Sequence, residues 1–167
     1  MNKSKENLSM IFEDIKNHFI FRANIENKKI DFFINSDLTL YCDPVWIKEA
    51  ISNLIKNALD HTQSGDTISI SSNSFGSILQ IIIKDNGFGI HEEDINHIFK
   101  RFYRSKFSKD TQGVGLGLPL TKSIIQSHEG NIQVHSTLNK GTTFVINFLN
   151  PTNLSIKRGV INEFIRS

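Results

Sequence analysis

The sequence has a single cysteine, no long apolar run and almost no net charge, and each absence excludes a class of protein. Cys42 alone cannot form an internal disulfide or a cysteine-rich zinc site, and a lone thiol fits a reducing compartment. No apolar stretch approaches the roughly 20 residues that span a bilayer. The net charge of +2 gives no reason to expect nucleic acid as a partner.

A targeting signal and internal repeats are also missing. The first residues, MNKSKENLS, lack the apolar core of a signal peptide, so we expect a soluble, cytoplasmic chain with no direct membrane contact. The 167 residues, 38% of them hydrophobic and 22% charged, match one ordinary domain that can bury a real core.

Hydrophobic periodicity predicts helices alternating with pairs of short strands. Helices are expected at residues 7–26, from Asp43-Pro44 to His61, near 92–98 and at 117–129, the last one stopping at Gly130. Strands are expected at 29–35, 39–43, 67–72, 78–85, 131–137 and 142–148, with Asn35, Ser36 and Asp37 as the turn between the first two. This order indicates an α+β fold, a mixed sheet with helices on one face.

Two asparagines on the helix that ends at His61 are candidates for ligand binding. Asn53 and Asn57 are four residues apart and therefore lie on one helix face, with Glu49 and Asp60 close to the same line. A solvated polar stripe also explains this pattern. However, asparagine is a poor helix former, and amide oxygens can coordinate Mg²⁺ beside phosphate.

Two glycine clusters are also candidates for ligand binding. DNGFGI, residues 85–90, follows an apolar strand, and a hairpin turn needs only some of its residues. GVGLGL, residues 113–118, opens into a helix, where bare backbone N–H groups favour a phosphate. Each cluster alone also fits a flexible loop. The second is neither a dinucleotide-binding fingerprint nor a P-loop, because the preceding strand and the Gly-Lys-Ser/Thr are missing.

The four segments in this order, Asn53/Asn57, DNGFG, IFKRFYR and GVGLG, strongly resemble the N, G1, F and G2 boxes of the ATP-binding domain of bacterial sensor histidine kinases. The resemblance covers roughly residues 8–148. It implies the Bergerat fold of the superfamily that includes gyrase and chaperone ATPases, a two-layer α/β sandwich with a mobile ATP lid. ATP and Mg²⁺ are the implied cofactors.

The resemblance assigns roles position by position. Asp85 would accept a hydrogen bond from the adenine amino group, Asn57 would coordinate Mg²⁺, and Asn53 would hold the phosphate and metal side of the pocket. Thr142, which shares a strand face with Phe144 and Ile146, would point toward the adenine. The remaining nucleotide contacts that it implies are His61, Gly87, Gly89, Ile90, Lys106, Gly113, Val114, Gly115, Leu116, Gly117 and Leu118.

The chemistry of phosphoryl transfer requires positive charge where negative charge develops. Arg104 matches the family's catalytic arginine in FYR, while Arg101 and Lys106 lie in the same basic stretch and are equally explained as solvated loop residues. Phe99 and Phe102 are expected to be hydrophobic pins for the lid.

Asn53 also bears on the type of reaction. Related ATPases and serine kinases often carry a glutamate base at that place, and an amide cannot take a proton at neutral pH. A neutral imidazole needs little activation, so Asn53 favours histidine as the acceptor. We therefore count both Asn53 and Arg104 as catalytic.

Two departures from the family pattern stand out. Asp60-His61 replaces a frequent Lys-Tyr, although His61 could offer a ring nitrogen to phosphate. More importantly, the phosphoacceptor box His-Glu-Leu-Arg-Thr-Pro is absent, and each of the six histidines has other surroundings. The chain is therefore expected to be the catalytic domain of a longer kinase, and this parent protein is expected to be anchored in the cell membrane.

The expected organisation has three parts. Residues 1–26 form a helix that joins a missing dimerisation and phosphoacceptor domain, 27–150 form the kinase domain, and 151–167 form an extension of unknown role. The helical phosphoacceptor domain is the expected direct partner, and a response regulator the indirect one. A free-standing serine kinase of the anti-sigma-factor type, a hydrolysing ATPase and a silent nucleotide-binding module remain as alternatives.

Overall fold

The computed structural model describes residues 1–106 and 115–150. Its four helices are α1 (Leu8–Ile25), α2 (Pro44–Asp60), α3 (Glu92–Ile95) and α4 (Gly117–Ser127). Its seven strands are β1 (Ser4–Asn7), β2 (Lys29–Phe33), β3 (Thr39–Cys42), β4 (Thr67–Phe75), β5 (Ile78–Asp85), β6 (Gly130–Thr137) and β7 (Gly141–Leu149).

Five of the strands form a mixed sheet in the order β2-β4-β5-β7-β6. Only β2 and β4 are parallel, and every other neighbouring pair in this sheet is antiparallel. The strands β1 and β3 form a separate antiparallel pair. The expected α+β class with a mixed sheet is therefore confirmed.

One face of the sheet is buried beneath the helices. Side chains alternate between buried and accessible along β4, β5 and β7, as a sheet with one covered face requires. The buried set on β5 is Leu79, Ile81, Ile83 and Asp85. Because Asp85 continues the row that faces the helices, its carboxyl lies on the inner side of the sheet.

The helices begin where the sequence provides caps. The Asn7 side chain accepts a hydrogen bond from the Ser9 backbone N–H at 2.8 Å, and Asp43 accepts one from Val45 at 3.1 Å. Pro44 occupies the first turn of α2, where its missing N–H costs nothing. The apolar stripe of α2 is fully buried and consists of Ile47, Ala50, Ile51, Leu54, Ile55, Ala58 and Leu59.

The first residues of the chain fasten two helix ends together. The Asn2 backbone N–H donates to Asp43 Oδ2 at 2.7 Å, and Lys3 Nζ donates to the Ser127 carbonyl at 2.7 Å. His128, the C-cap of α4, accepts at Nε2 from the Asp43 backbone N–H at 3.1 Å. The start of α2 and the end of α4 therefore share one anchor.

The structure differs from the sequence expectations in three places. The strand β1 was not anticipated, and β2 and β3 do not pair with each other, although residues 35–37 do form a turn. The helix α3 has only four residues, Glu92–Ile95, and is therefore about half as long as expected. The other predicted helices and strands are confirmed to within about three residues, an ordinary scatter for element ends.

Two features bear on exclusions made from the sequence. Among residues 1–106 and 115–150, no helix combines the length and apolar character needed to cross a membrane. Cys42 is fully buried, and burial raises the pKa of its thiol to about 12, so it stays protonated at neutral pH.

We expect Gly141→Ala to destabilise the fold more than Gly76→Ala. Both glycines have a positive φ, but a Cβ at Gly141 would lie 2.0 Å from the Asp85 carbonyl oxygen, whereas nothing lies within 4 Å at Gly76. Gly76→Ala should cost about 1 kcal/mol from the backbone conformation alone. Gly141→Ala should cost about 3 kcal/mol or more, because backbone must also move. Urea unfolding followed by circular dichroism measures both, and equal losses would contradict the packing argument.

Candidate nucleotide-binding site

Asp85 is a buried acceptor at the end of β5, with only 4% of its surface exposed. Backbone N–H groups of Gly87, at 2.9 Å, and Thr142, at 3.3 Å, both donate to Oδ1. Within the described residues, no hydrogen bond reaches Oδ2. Burial raises the pKa of the Asp85 carboxyl, and the two backbone donors and the charge of His61 oppose that rise. One carboxylate oxygen therefore remains for a ligand.

The loop after β5 is fastened to the last turn of α2. The Phe88 backbone N–H donates to the His61 carbonyl oxygen at 3.0 Å, and a Cβ on Gly87 would lie 2.1 Å from the same oxygen. Only glycine fits there. The Asn86 side chain accepts from the Thr67 backbone N–H at 2.8 Å. The amide and the first glycine of DNGFGI thus have roles within the fold.

The second half of this loop rests on the turn between β6 and β7. Gly89 has a φ of +69°, and a Cβ there would lie 2.1 Å from the Thr137 carbonyl oxygen. The Ile90 backbone N–H donates to Ser136 Oγ at 2.8 Å, which lies 2.9 Å from Thr142 Oγ1. Thr142 is buried on the inner face of β7. Its hydroxyl and the Asp85 carboxyl therefore belong to one connected set of polar groups.

Asn53 carries a polar atom that the fold leaves without a partner. Its Nδ2 is buried and makes no hydrogen bond in the described part of the chain. An unsatisfied buried donor costs about 1–3 kcal/mol. The side-chain amide of Asn57, one helical turn further on, also has no hydrogen bond to any described residue. This face of α2 is therefore suited to a ligand with acceptor oxygens and a bound cation.

His61 connects the two asparagines with Asp85. It is the C-cap of α2, four residues after Asn57, and its carbonyl holds the loop that follows Asp85. With a rise of 1.5 Å per residue, Asn57 and Asn53 lie about 6 Å and about 12 Å from His61 along the helix axis. His61, Asn57 and Asn53 thus follow one another along α2, and the contact at the His61 carbonyl brings the loop after Asp85 to the end of this row.

Asp60 has a structural function, unlike its neighbour His61. Its carboxylate is bound by Arg22 of α1 at 2.6 Å and by Lys56 at 2.9 Å. Burial raises the pKa of Asp60, but the hydrogen bonds from these two cations outweigh that effect and lower it overall. The aspartate that replaces the family's lysine is therefore occupied in joining α1 to α2.

The start of α4 has the features of an anion site. Leu116 is its N-cap and supplies no side-chain hydrogen bond, and a Cβ at Gly117 would meet nothing within 4 Å. The first backbone N–H groups are therefore uncapped by side chains. Leu118 packs against the core, and Gly115, at a φ of +71°, lies beneath the Tyr103 carbonyl. Gly113 and Val114 lie outside the described residues.

The segment between α3 and the undescribed stretch carries the predicted cations. Arg101 and Arg104 are exposed, and Lys106 forms an exposed ion pair of 3.0 Å with Glu93. Phe99 packs edge-on against Phe144 of the core, as expected. Phe102 does not act as a pin. It is 68% exposed, because its positive φ of 61° turns the side chain away from the core.

Three residues of the site were missed by the sequence analysis. Gly141 lets β7 approach the backbone of Asp85, and Ser136 joins Ile90 to Thr142. A glycine directly before the strand TTFVIN was the available signal for the first, whereas nothing local marks the second. Asp94 is buried at 2% exposure and binds the segment around Arg104.

A surface depression of about 430 Å³ does not coincide with this row of polar groups. Its lining includes Lys84, His135 and Thr143, which project from the outer face of the sheet. Asp85 contributes to the lining, but neither asparagine does. We therefore place the candidate site on the helix side of the sheet.

The residues present fit ATP and Mg²⁺. Asn53 supplies an unpartnered buried donor, and α4 begins with uncapped N–H groups. Within the described residues, no group of three or more His, Cys, Asp or Glu side chains could hold a metal by itself. Magnesium commonly takes few protein ligands and completes its shell with phosphate oxygens and water. One amide oxygen at Asn57 would suffice.

Comparison with known proteins gives matches over most of the chain. The family described as "Histidine kinase-, DNA gyrase B-, and HSP90-like ATPase" matches residues 42–152. The sensor histidine kinase CusS of Escherichia coli (strain K12) is 33% identical over 145 residues, which cover 85% of this chain and 30% of CusS. The chain spans only 15–31% of the length of the first curated relatives it matches.

Solved structures agree with this assignment. The catalytic domain of the histidine kinase ThkA is 27% identical, with a TM-score of 0.78, and the match covers 92% of this chain and 99% of that one. A 23% identical chain in the structure of ThkA with the response regulator protein TrrA shares the fold at a TM-score of 0.74, covering 89% of this chain and 42% of that one.

We expect Asn53→Ala to stabilise the nucleotide-free protein while weakening ATP binding. Removing an unsatisfied donor and improving helix propensity should raise the free energy of unfolding by about 1 kcal/mol. ATP affinity should fall, since the amide no longer donates to the ligand. Thermal unfolding and calorimetric titration measure the two effects, with Ser52→Ala as the neighbouring control. Lower stability of the free variant would show that the amide has a partner.

We expect adenine-nucleotide affinity to fall at mildly acidic pH in a manner that depends on Asp85. The ionised carboxylate is the stronger acceptor for an adenine amino group, because hydrogen bonds to a charged acceptor are stronger than those to a neutral one. Burial raises the pKa of Asp85 above the ordinary value near 3.9, so the weaker, protonated acceptor accumulates at a higher pH than usual.

Titration of ADP against the protein at several pH values measures this loss. Protonation of the nucleotide phosphates affects the wild type and Asp85→Asn alike, so the difference between them isolates the carboxyl. Identical pH dependence in both proteins would contradict the role of Asp85.

Proposed function

This chain belongs to the histidine kinase-, DNA gyrase B- and HSP90-like ATPase family, and on that premise we propose that it is the ATP-binding catalytic domain of a sensor histidine kinase. It transfers the γ-phosphate of ATP to a histidine on a separate helical domain. The row formed by His61, Asn57 and Asn53, with the loop after Asp85 at its end, is the observation that supports this proposal most directly.

The proposed binding mode follows this row. Asp85 accepts from the adenine amino group, with Thr142 beside it, and the fixed backbone of Gly87, Gly89 and Ile90 shapes the base pocket. Asn57 would coordinate Mg²⁺ through its amide oxygen, and the buried Nδ2 of Asn53 would donate to phosphate. Magnesium, when bound, neutralises the charge that develops on the phosphates.

The phosphates would be bound near the start of α4. The uncapped N–H groups at Gly117 and Leu118 would donate to them, with Gly115 and Leu116 beside them. Gly113 and Val114, the other two contacts expected from the sequence, lie outside the described residues. His61 and Lys106 are further contacts in this proposal. Arg104 provides positive charge to the transferring group, which is the main requirement of this reaction.

The acceptor is proposed to be histidine because the site offers no base where one would be needed. The residue on the amide face one turn before Asn57 is Asn53, and Glu49 is exposed a further turn away. A serine hydroxyl or a water needs proton removal in the transition state, whereas a neutral imidazole is already nucleophilic.

The wider context is proposed from the relatives. Residues 1–26 connect to the dimerisation and phosphoacceptor helices, and α1 packs on the core through six buried residues. Residues 151–167 lie outside the described residues, and their role is not assigned. A response regulator receives the phosphate from the histidine domain, and the parent protein is anchored in the membrane with this domain in the cytoplasm.

We expect the chain to bind ADP and ATP with Mg²⁺ and to label a histidine. The chain is incubated with γ-labelled ATP and either the CusS phosphoacceptor domain or a serine protein of the anti-sigma-antagonist type. The acceptor domain is also supplied fused ahead of residue 1, so that weak docking does not limit transfer. Label on the histidine domain should be acid-labile and base-stable.

Each other outcome identifies an alternative. Acid-stable label on the serine protein would indicate a serine kinase, and rapid phosphate release without labelling would indicate a hydrolase. Nucleotide binding with neither reaction, in the fused protein as well, would leave a silent module. Failure to bind adenine nucleotides would contradict every version of the proposal.

A further inference from the structure

Asp94 in the short helix α3 is a buried carboxylate with both oxygens bound. It is 2% exposed. The Tyr103 hydroxyl donates to Oδ1 at 2.5 Å, and the Ser105 hydroxyl donates to Oδ2. The residue between these two donors is Arg104. One buried group thus holds the chain on both sides of the arginine.

We propose that Asp94 is a positioning residue that acts through Arg104. By binding the hydroxyls of Tyr103 and Ser105, it fixes the backbone from which the guanidinium of Arg104 extends toward the γ-phosphate. This inference rests on the proposed function, which gives Arg104 its role in the transfer.

The two hydrogen bonds hold the chain on either side of the arginine. Residues 103–105 belong to no helix or strand. Both neighbours of Arg104 are bound to the same buried carboxylate, so the backbone of Arg104 is held close to α3. The exposure of the three residues agrees with this arrangement, since Arg104 is exposed while Tyr103 and Ser105 are both partly buried.

Further contacts hold the same segment. The Phe102 backbone N–H donates to the Gly115 carbonyl at 3.1 Å, and that of Tyr103 donates to Lys100 at 3.2 Å. The Tyr103 ring lies 5.4 Å from the ring of His97. Gly115 follows the undescribed residues 107–114, so this contact joins the two flanks of that stretch.

The charge states suit the arrangement. Burial raises the pKa of Asp94, but the hydrogen bonds from Ser105 and Tyr103 outweigh it and lower the pKa overall, so the carboxylate is ionised at neutral pH. The hydrogen bond to Asp94 raises the pKa of the Tyr103 phenol, which keeps it a donor. An ionised acceptor and two neutral donors form strong hydrogen bonds.

The side chain of Asp94 is separable from its backbone role in α3. Its carbonyl oxygen accepts from the backbone N–H groups of His97, at 2.7 Å, and Ile98, at 3.1 Å. Asp94→Asn keeps these contacts and the side-chain volume but removes the charge and one acceptor. Tyr103→Phe/Ser105→Ala removes the two donors without altering α3. Glu93→Gln is the matched control, because Glu93 is adjacent to Asp94 and its exposed side chain forms an ion pair with Lys106.

The experiment uses the full chain and three measurements. Hydrogen exchange by mass spectrometry follows residues 100–106, titration gives the Kd for ADP with Mg²⁺, and transfer to the histidine domain gives the rate. For Asp94→Asn and for the double variant, we expect faster exchange at 100–106 and a loss of transfer of up to about 100-fold, as misplacement of a catalytic group produces. The Kd for ADP should change by less than about threefold, since Asp85 and the asparagines are untouched.

A double-mutant cycle shows whether Asp94 acts through Arg104. If it does, Asp94→Asn in the Arg104→Ala background should cause no additional loss of transfer, because the group being positioned is already gone. Full additivity of the two losses would overturn the inference. A parallel loss of ADP affinity would also overturn it, since a general structural role would weaken the whole site.

Failure of this inference can be told from failure of the proposed function. If the wild type binds ADP but labels no histidine, the proposed function is wrong. If Asp94→Asn leaves the exchange of residues 100–106 unchanged from the wild type and from Glu93→Gln, the positioning role is wrong whatever the transfer assay shows.

Discussion

The contact between the last carbonyl of α2 and the loop after β5 is the constraint on which the site depends. The His61 oxygen receives the Phe88 N–H, and Gly87 lies so close to it that no side chain would fit. This contact fixes the helix that carries Asn57 relative to the strand that ends in Asp85. Without it, the sheet and helices could still form a core, but the two parts of the candidate nucleotide site would lose their relative position.

The part of the fold most accessible from sequence was the part set by local periodicity. The long apolar stripe of α2 and the alternation in β5 and β7 identify their elements because burial repeats at 3.6 or 2 residues. The strand β1 has no such pattern, since all four of its residues are polar and its pairing with β3 spans more than 30 positions. Pairing of that kind is determined by tertiary contacts, which no local window contains.

The candidate site, too, was predictable from the sequence only in part. Asp85 and the glycines could be recognised from their motif, but the motif did not distinguish glycines needed by a ligand from glycines needed by the fold. Gly87 and Gly89 both meet backbone oxygen of the chain itself. Asp94 escaped recognition because its partners, nine and eleven residues later, are ordinary hydroxyls. The exposure of Phe102 was not predictable either, because it accompanies a positive φ, and nothing about a phenylalanine in the sequence indicates that conformation.

The anchor formed by the first residues joins α2 and α4 at one end. Helix α2 runs from this anchor toward the proposed nucleotide site, and α4 runs back to the anchor, so the two helices are antiparallel. The 17 residues of α2 give a length of about 25 Å. The first residues of the chain therefore contact both helices at the ends that lie away from the proposed triphosphate site.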